Sequence, residues 1–401
     1  MTSCAGEAKP NRSNAFRTRE TIAKQQGERE GLIWQSRSQQ IVTFLPLWLI
    51  ILFLGAQLLA EPINTFYGTI EVKEPVLIEL IHSPAMQRLK SIHQYGISYY
   101  TTHREEYNRF DHSLGVFAIL RLKGASLEEQ IAGLLHDVSH TTFSHLGDWI
   151  FGKEYQENDY QTTIHRLHLA VSGVEKILNK YGLSVEHILP KLPSFTMLEQ
   201  PLPNLSADRI DYNIQGAYFQ HFLSKEEAQE LFQDLSFENG KWVTTKKHLA
   251  AKLMRFSLFM TENCWGSAIN YVTSRWLSDA ILQGIKIGLI SWHEFHFGID
   301  QNIWDKLRNS KDPLIQKRME MITHPDPFYQ FVAPSQANTL VKFKCRGVDP
   351  WIKKEGTIAR LTSIDPELFD ALLKIKEKAI AGWPLEIRSA ADPLRKSVDL
   401  L

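Results

Sequence analysis

Apolar residues recur at helical spacing through most of the chain between residues 61 and 295, and no run there alternates as a half-buried strand would. This pattern predicts a helical bundle over 61–295. Beyond residue 295 the pattern changes, because 300–307 and 366–380 have helical spacing whereas 339–345 alternates like a strand. We therefore expect a mainly α fold with a small α+β C-terminal appendage over 296–401.

Two different segments precede the bundle. Residues 1–40 are polar and predict a disordered tail. Residues 41–60 carry no charge and are long enough to span a bilayer, for which ~20 apolar residues are needed. With basic residues predominating in the tail, we expect a transmembrane or signal segment that anchors or exports the protein. The alternative is a buried helix in a cytoplasmic protein, which Pro46 favours.

Capping residues locate the helix that carries a His-Asp pair. Ser126 and Glu129 have the spacing of a capping box, in which each side chain accepts a hydrogen bond from a free backbone amide. The apolar residues that follow share one face. His136 and Asp137 are thus predicted to lie late on this helix.

Two further helices carry polar residues. One is predicted to open at His112 and to close at Gly124, and another begins at Ser206. Spacing of three, four and seven residues places one polar set on a single face of the latter helix: Asp208, Asp211, Tyr212 and Gln215.

Charge and cysteine content exclude several classes of protein. Lys plus Arg equal Asp plus Glu at 45 each, so there is no overall field to attract a polyanion, and nucleic acid is not an expected partner. Cys4, Cys264 and Cys345 form no CxxC pattern. Neither a zinc ribbon nor a disulfide framework is predicted.

Histidine is unusually dense in one part of the chain, with seven between His103 and His168. Neighbours on a helix point ~100° apart, so His136 and Asp137 cannot enclose an ion alone. His112 and Asp208 can supply the missing donors, and two imidazoles with two carboxylates suit one divalent ion of Mn, Fe, Zn or Mg. The alternative is a set of hydrogen-bonded structural histidines.

Three separated segments, 108–115 (NRFDHSLG), 136–148 (HDVSHTTFSHLGD) and 207–212 (ADRIDY), resemble the HD superfamily of metal-dependent phosphohydrolases. Within it they are most similar to the dNTP triphosphohydrolases, which include dGTPases and SAM-and-HD-domain enzymes. The similarity begins near 87–96 and weakens after Tyr212. It implies an HD-domain bundle over 61–295.

The resemblance also implies roles for individual residues. The implied metal ligands are His112, His136, Asp137 and Asp208. The implied acid–base cluster at the scissile phosphate is His140, Asp148 and His165. His140 would lie one turn after His136 if the helix continues.

The implied substrate contacts are less closely matched. Arg109 and His145 correspond to residues that touch phosphate, and Gln94 to one that touches the nucleoside. Arg209 corresponds to a phosphate-binding Lys, and Tyr212 to a pocket-lining Tyr. In the resembled enzymes a metal-activated water attacks the α-phosphate and yields nucleoside and triphosphate.

Three positions depart from the resembled family. Gly216 replaces an acidic residue that holds the sugar hydroxyl and follows Gln215 where Arg is usual, and Arg166 replaces a Glu. The helix 256–269, which should supply cations, offers small residues instead: Ser257, Thr261, Ser267 and Ala268. These departures keep two alternatives open, a phosphoesterase acting on a nucleoside monophosphate or cyclic nucleotide, and a non-catalytic binding module. The expected partners are a nucleotide, a membrane through 41–60 and, by analogy, further copies of the chain.

Overall fold

The computed structural model describes residues 60–102, 105–152 and 160–388. This part of the chain opens with an antiparallel hairpin of β1 (Glu61–Thr65) and β2 (Gly68–Val72). The helices that follow are α1 (Pro75–Ile81), α2 (Pro84–Arg88), α3 (Ile97–Thr102), α4 (Arg109–Leu122), α5 (Leu127–Leu135), α6 (Leu146–Phe151), α7 (Tyr160–Val171), α8 (Val174–Lys180), α9 (Ala207–Phe219), α10 (Lys225–Asp234), α11 (Lys247–Met260), α12 (Ala268–Lys286) and α13 (Trp292–Phe297). A π-helical turn, Thr261–Trp265, lies between α11 and α12.

The C-terminal region combines helices with two small sheets. Its helices are α14 (Asp300–Arg308), α15 (Pro313–Thr323) and α16 (Pro366–Ala381). The remaining strands are β3 (Ser236–Glu238), β4 (Lys241–Thr244), β5 (Tyr329–Phe331), β6 (Thr339–Val341), β7 (Trp351–Lys354), β8 (Thr357–Arg360) and β9 (Trp383–Ile387). They form sheets of order β3-β4-β7-β8 and β5-β9-β6. The predicted mainly α fold with an α+β C-terminal region is confirmed.

Four of these strands lie in the region where none was expected. They span five residues or fewer, which is too short for alternation to stand out in the sequence. β4 pairs in parallel with β7, more than 100 residues further along the chain. Its strand conformation is therefore supported by a partner that no local pattern reveals.

The start of α5 confirms one half of the predicted capping box. The Ser126 side chain accepts a hydrogen bond from the backbone N–H of Glu129. The Glu129 carboxylate does not return to the helix start; it accepts hydrogen bonds from the backbone N–H groups of Met197 (2.8 Å) and Leu198 (2.9 Å). The carboxylate therefore holds the loop before α9 instead of its own helix end.

The two other helices that carry predicted metal ligands, α4 and α9, also begin at polar caps. The Asn108 side chain caps α4, so this helix begins at Arg109 instead of His112. Gly124 adopts a positive φ of 83° just beyond its end, as predicted. The Ser206 hydroxyl caps α9, which confirms the predicted start and places Asp208 in its first turn.

Buried packing crosses the expected boundary between residues 295 and 296. One apolar cluster contains Leu277 and Ile281 of α12 together with Met319 and Ile322 of α15. A smaller cluster joins Met254 of α11 to residues of β7 and α16. The C-terminal region thus shares buried cores with helices of the bundle.

The predicted tail over 1–40 and, apart from residue 60, the predicted membrane segment over 41–60 lie outside the described residues. Among the helices that are described, none is both long and apolar enough to span a bilayer.

Candidate metal centre and active site

Four side chains that the sequence assigns to a metal converge between α4, α5 and α9. Nε2 of His112 lies 3.2 Å from Nε2 of His136, which stands at the C-terminal end of α5. Oδ1 of Asp208 lies 3.1 Å from the first of these nitrogens and 3.5 Å from the second. Oδ1 of Asp137 lies 3.4 Å from Nε2 of His136. Three of the four, His112, His136 and Asp137, have the spacing of a group that could hold a metal ion.

The outer nitrogens of both imidazoles are already engaged. Nδ1 of His112 lies 2.6 Å from Oδ2 of Asp211, and Nδ1 of His136 lies 2.7 Å from the carbonyl oxygen of Gly133. Because each Nδ1–H is donated outward, each Nε2 presents its lone pair to the centre. Two lone pairs at this separation repel unless a cation lies between them, so the donor set fits a divalent metal ion.

Electrostatics of the centre also favour a cation. Burial opposes charge on His112, but hydrogen bonds with Asp208 and Asp211 outweigh it and raise the pKa of the imidazole to about 10. Burial likewise opposes charge on Asp137, yet the charge of Arg109 holds the pKa of that carboxyl well below its usual range. Asp137 therefore stays ionised, and the carboxylates around His112 favour a positive charge at this point, which a metal ion in place of the Nε2 proton would supply.

A supporting layer lies behind His112. Asp211 is fully buried, and Nε2 of Gln215 donates to its Oδ1 at 2.9 Å. Gly115 of α4 permits this approach, since a Cβ there would lie 1.9 Å from Oδ1 of Asp211. Asp211 was not assigned a role from the sequence, although its place one turn after Asp208 signalled it.

Two arginines predicted to touch phosphate are occupied within the protein. Arg109 is buried, pairs with Asp137 and donates through Nε to Oγ of Ser144 at 2.7 Å. Arg209 donates to the carbonyl oxygens of Gln200 and Asn204. Their contact with a substrate stays a prediction.

The predicted acid–base cluster adjoins the centre, but His140 reaches it from a turn and not from a continuation of α5. α5 ends at Leu135, and a turn over 136–139 brings Nε2 of His140 to 3.1 Å from Oδ1 of Asp137. Burial and the charge of Arg109 lower the pKa of His140 to about 4, so its ring is neutral near pH 7. Its buried Nδ1 has no hydrogen-bond partner within the described part of the chain.

The side chains around His140 differ in their exposure to solvent. Nδ1 of His165, on α7, is buried 2.8 Å from Oγ of Ser139, which joins it to the turn that carries His140. His145 is half-exposed, with Nδ1 3.4 Å from Oδ2 of Asp148. A small depression is lined by His140, Thr141, Ser144, His145, Gly147, Asp148, Tyr160 and Gln161.

The loop that carries His140 is held in place by distant residues that no sequence pattern indicated. Half-buried Arg88 donates to the carbonyl oxygens of Val138 and His140. Asp300 accepts hydrogen bonds from the backbone N–H groups of Phe143 (2.7 Å) and His93 (2.9 Å). No sequence spacing signals these contacts, because they join residues 50 to more than 200 positions apart.

The structure also explains one departure from the resembled family. A Cβ at Gly216 would lie 2.7 Å from the ring of Phe256 and 3.0 Å from the hydroxyl of Tyr95, so aromatic side chains fill the space where an acidic residue would stand. Arg166, the second departure, pairs with Glu186 on the exposed surface.

Two predicted pocket residues lie on either side of this region. Tyr212 is half-buried, and its ring centroid lies 6.5 Å from that of His112. The buried Oε1 of Gln94 lacks a hydrogen-bond partner among the described residues. Contact of Gln94 with a nucleoside and the place of Tyr212 in the lining of a substrate pocket stay predictions.

Comparison with known proteins agrees with this arrangement. Residues 109–212 match the HD domain. The uncharacterised protein YdhJ of Bacillus subtilis is 33% identical over 301 residues, which cover 73% of this chain and 90% of YdhJ. The metal-dependent phosphohydrolase cns2 of Cordyceps militaris is 30% identical over 272 residues, which cover 65% of this chain and 76% of cns2.

More distant matches share part of the chain or the fold alone. The deoxynucleoside triphosphate triphosphohydrolase SAMHD1 of Homo sapiens is 33% identical over 144 residues, 31% of this chain and 23% of that protein. A phosphohydrolase structure from Bacteroides thetaiotaomicron matches with a TM-score of 0.56 at 16% identity, over 82% of this chain and all of that one. The chain therefore belongs to the HD-domain family of metal-dependent phosphohydrolases, near the dNTP triphosphohydrolase group.

Proposed function

We propose that this protein hydrolyses (deoxy)nucleoside triphosphates to nucleoside and triphosphate. The observation that carries the proposal is the convergence of His112, His136 and Asp137, with Nε2 of His140 3.1 Å from Oδ1 of Asp137. The partial similarity to SAMHD1 supports triphosphates as the substrate class.

A divalent ion held by His112, His136, Asp137 and Asp208 would polarise the phosphate and activate the attacking water. Arg109 keeps Asp137 ionised for this purpose. His140 is neutral near pH 7 and its Nε2 lies 3.1 Å from Oδ1 of Asp137 at the centre, which suits acceptance of a proton from the attacking water. His165 acts as a positioning residue through the Ser139 hydroxyl.

A second candidate is hydrolysis of a nucleoside monophosphate or cyclic nucleotide. It is favoured by the engagement of Arg109 and Arg209 within the protein, because a single phosphate needs fewer cations than a triphosphate. The filled space at Gly216 also removes a means of holding the sugar.

A substrate panel separates these functions. Protein supplied with Mn²⁺ is incubated with deoxynucleoside and ribonucleoside triphosphates, monophosphates and cyclic monophosphates, and the products are separated by ion-exchange chromatography. Equal amounts of nucleoside and tripolyphosphate are expected. Release of orthophosphate from a monophosphate, or opening of the ring of a cyclic monophosphate, would support the second candidate. Metal-loaded protein that turns over no phosphoester would instead indicate a non-catalytic binding module.

A further inference from the structure

Two helix positions where the resemblance led us to expect cations hold a segment of the C-terminal region instead. Oγ of Ser257 accepts a hydrogen bond from the backbone N–H of Val348 at 3.1 Å. Oγ1 of Thr261 accepts one from the backbone N–H of Arg346 at 3.3 Å. A Cβ at Gly266 would lie 2.4 Å from the ring of Phe343. Residues 343–348 therefore run along α11 and the π-helical turn.

This turn ends beside the candidate active site. The ring of Trp265, its last residue, meets that of Tyr212 edge-on with centroids 5.5 Å apart. Tyr212 lies one turn after Asp208 on α9. Burial, with the charge of Asp208, raises the pKa of the Tyr212 hydroxyl to about 12, while Arg346 and Arg209 act in the opposite direction. The segment that carries Arg346 therefore lies along a turn that ends against Tyr212.

The other buried or half-buried arginines of this region already have partners. Arg88 and Arg209 donate to backbone carbonyl oxygens, and Arg109 pairs with Asp137. Arg346 is half-buried, yet within the described ranges its side chain makes no hydrogen bond or ion pair. Partial loss of hydration without a partner is unfavourable for a charged group, and an anionic ligand would compensate it.

We infer that Arg346 binds the phosphate chain of the substrate and replaces the cations that residues 256–269 lack. A guanidinium can donate two parallel hydrogen bonds to phosphate oxygens, which an ammonium group cannot do. The identity of the phosphate carrier as a nucleotide rests on the proposed function.

Binding of inorganic tripolyphosphate tests this inference without turnover. Isothermal titration calorimetry is carried out on Mn²⁺-loaded protein as wild type, Arg346→Ala, Arg346→Lys and the control Arg255→Ala, whose exposed side chain on α11 pairs with Glu367. We expect Arg346→Ala to weaken binding about 10- to 100-fold, the usual effect of losing hydrogen bonds to a charged group, and Arg346→Lys to recover part of it. Arg255→Ala should bind as wild type.

Melting temperature and metal content are measured on the same preparations and should not change. Equal tripolyphosphate affinity in wild type and Arg346→Ala, or no binding to wild type, would overturn the inference. If Arg346→Ala is unstable, wild type is compared with Arg346→Lys instead. An unchanged affinity for tripolyphosphate in Arg346→Lys would count against paired hydrogen bonds from the guanidinium to phosphate.

Kinetics separate this inference from the proposed function. On a nucleoside triphosphate, Arg346→Ala should raise KM by a similar factor with little change in kcat, because the contact serves binding. Arg346-dependent binding of tripolyphosphate without turnover of any nucleotide would remove the proposed function and leave the anion site. Turnover of a nucleotide with an unchanged KM in Arg346→Ala would keep the proposed function and overturn the assignment of Arg346.

Discussion

Each imidazole of the centre is oriented by a fixed acceptor, which means that ligand geometry depends on groups that never touch the ion. The carboxylate of Asp211 performs this role for His112, and the carbonyl oxygen of Gly133 performs it for His136. The carbonyl oxygen of Gly133 belongs to the backbone of α5, so a side-chain substitution does not remove it. We therefore expect His112 to be the more easily disturbed of the two ligands.

His165 offers a test of the acid–base assignment. Replacement by Ala should leave metal content intact and lower kcat by about 10²–10⁴, the usual range for loss of acid–base assistance, because the link through Ser139 to the turn of His140 is removed. Turnover is measured on the best substrate of the panel. His168→Ala, one turn further along α7, is the control and should reduce stability but preserve kcat; an unchanged kcat in His165→Ala would exclude a role in catalysis.

His168 predicts how stability depends on pH. Burial lowers its pKa to about 3, and the nearby charge of Arg88 adds to the effect. In the unfolded chain a His has a pKa near ~6.5, so between pH 6.5 and 3 the unfolded state binds a proton that the folded state does not. Stability from this residue is therefore complete above pH 6.5 and falls on acidification by at most about 1.4 kcal/mol per pH unit.

Urea unfolding from pH 7.5 to 4.5 measures this effect. His168→Phe should lose stability less steeply on acidification than wild type, whereas the exposed His187→Phe should follow the wild type. Parallel curves for wild type and His168→Phe would show that burial of this imidazole does not contribute to acid sensitivity.

Residue types and their order were enough to predict which four side chains meet at the centre. They were not enough to predict what each arginine does. Arg109 and Arg209 match phosphate-binding positions, but their partners, Ser144 and the carbonyl of Asn204, depend on how loops fold. Side-chain direction at a loop is set by tertiary contacts that local spacing does not encode.

At the level of elements, the close approach of α4 and α9 positions His112. Gly115→Ala should displace Asp211, because the added Cβ would lie 1.9 Å from its Oδ1. We expect metal affinity to fall about 10- to 100-fold, as is usual when a group that orients a ligand is lost. Competition with a fluorescent chelator measures it.

The control is Ser113→Ala on the same helix. The Ser113 hydroxyl is buried and has no hydrogen-bond partner among the described residues, so its removal should not affect the metal. Wild-type metal affinity in Gly115→Ala would show that Asp211 is not needed to orient His112.

Helix boundaries that carry a local capping signal were easier to predict than boundaries without one. Ser126 and Ser206 cap helices through local hydrogen bonds, and both starts are confirmed. The end of α5 at Leu135 has no glycine or proline to mark it. It is set by contacts from elsewhere, among them the hydrogen bond from Gln161 to the carbonyl oxygen of His136. Such contacts are not visible in a local pattern.

For the whole molecule, the C-terminal region completes both the core and the site. Residues 60–295 without the remainder should be insoluble or molten, because α12 would lose α15 and the loop at Phe143 would lose Asp300. Residues 60–388 should unfold in one cooperative transition. Calorimetry on both forms measures this; a folded, metal-binding 60–295 fragment would show that the bundle is independent.

The sequence predicted the regions of helix and of mixed α+β structure better than the long-range contacts between them. Helical spacing identified the bundle, and the change in pattern identified the α+β region. The pairing of β4 with β7 and the shared apolar clusters join segments far apart in the chain. One sequence without its three-dimensional partners cannot indicate such long-range contacts.

Metal content of the purified protein tests the central claim most directly. Inductively coupled plasma mass spectrometry should find about one divalent metal per chain in the wild type, and little in Asp137→Ala or Asp208→Ala, because three remaining ligands leave the site open and undercharged. Asp208→Ala is included because Asp137→Ala also leaves Arg109 without its buried partner. Asp111→Ala, an exposed carboxylate on α4, should retain the metal. Full metal occupancy in folded Asp137→Ala and Asp208→Ala would contradict the assignment of the centre.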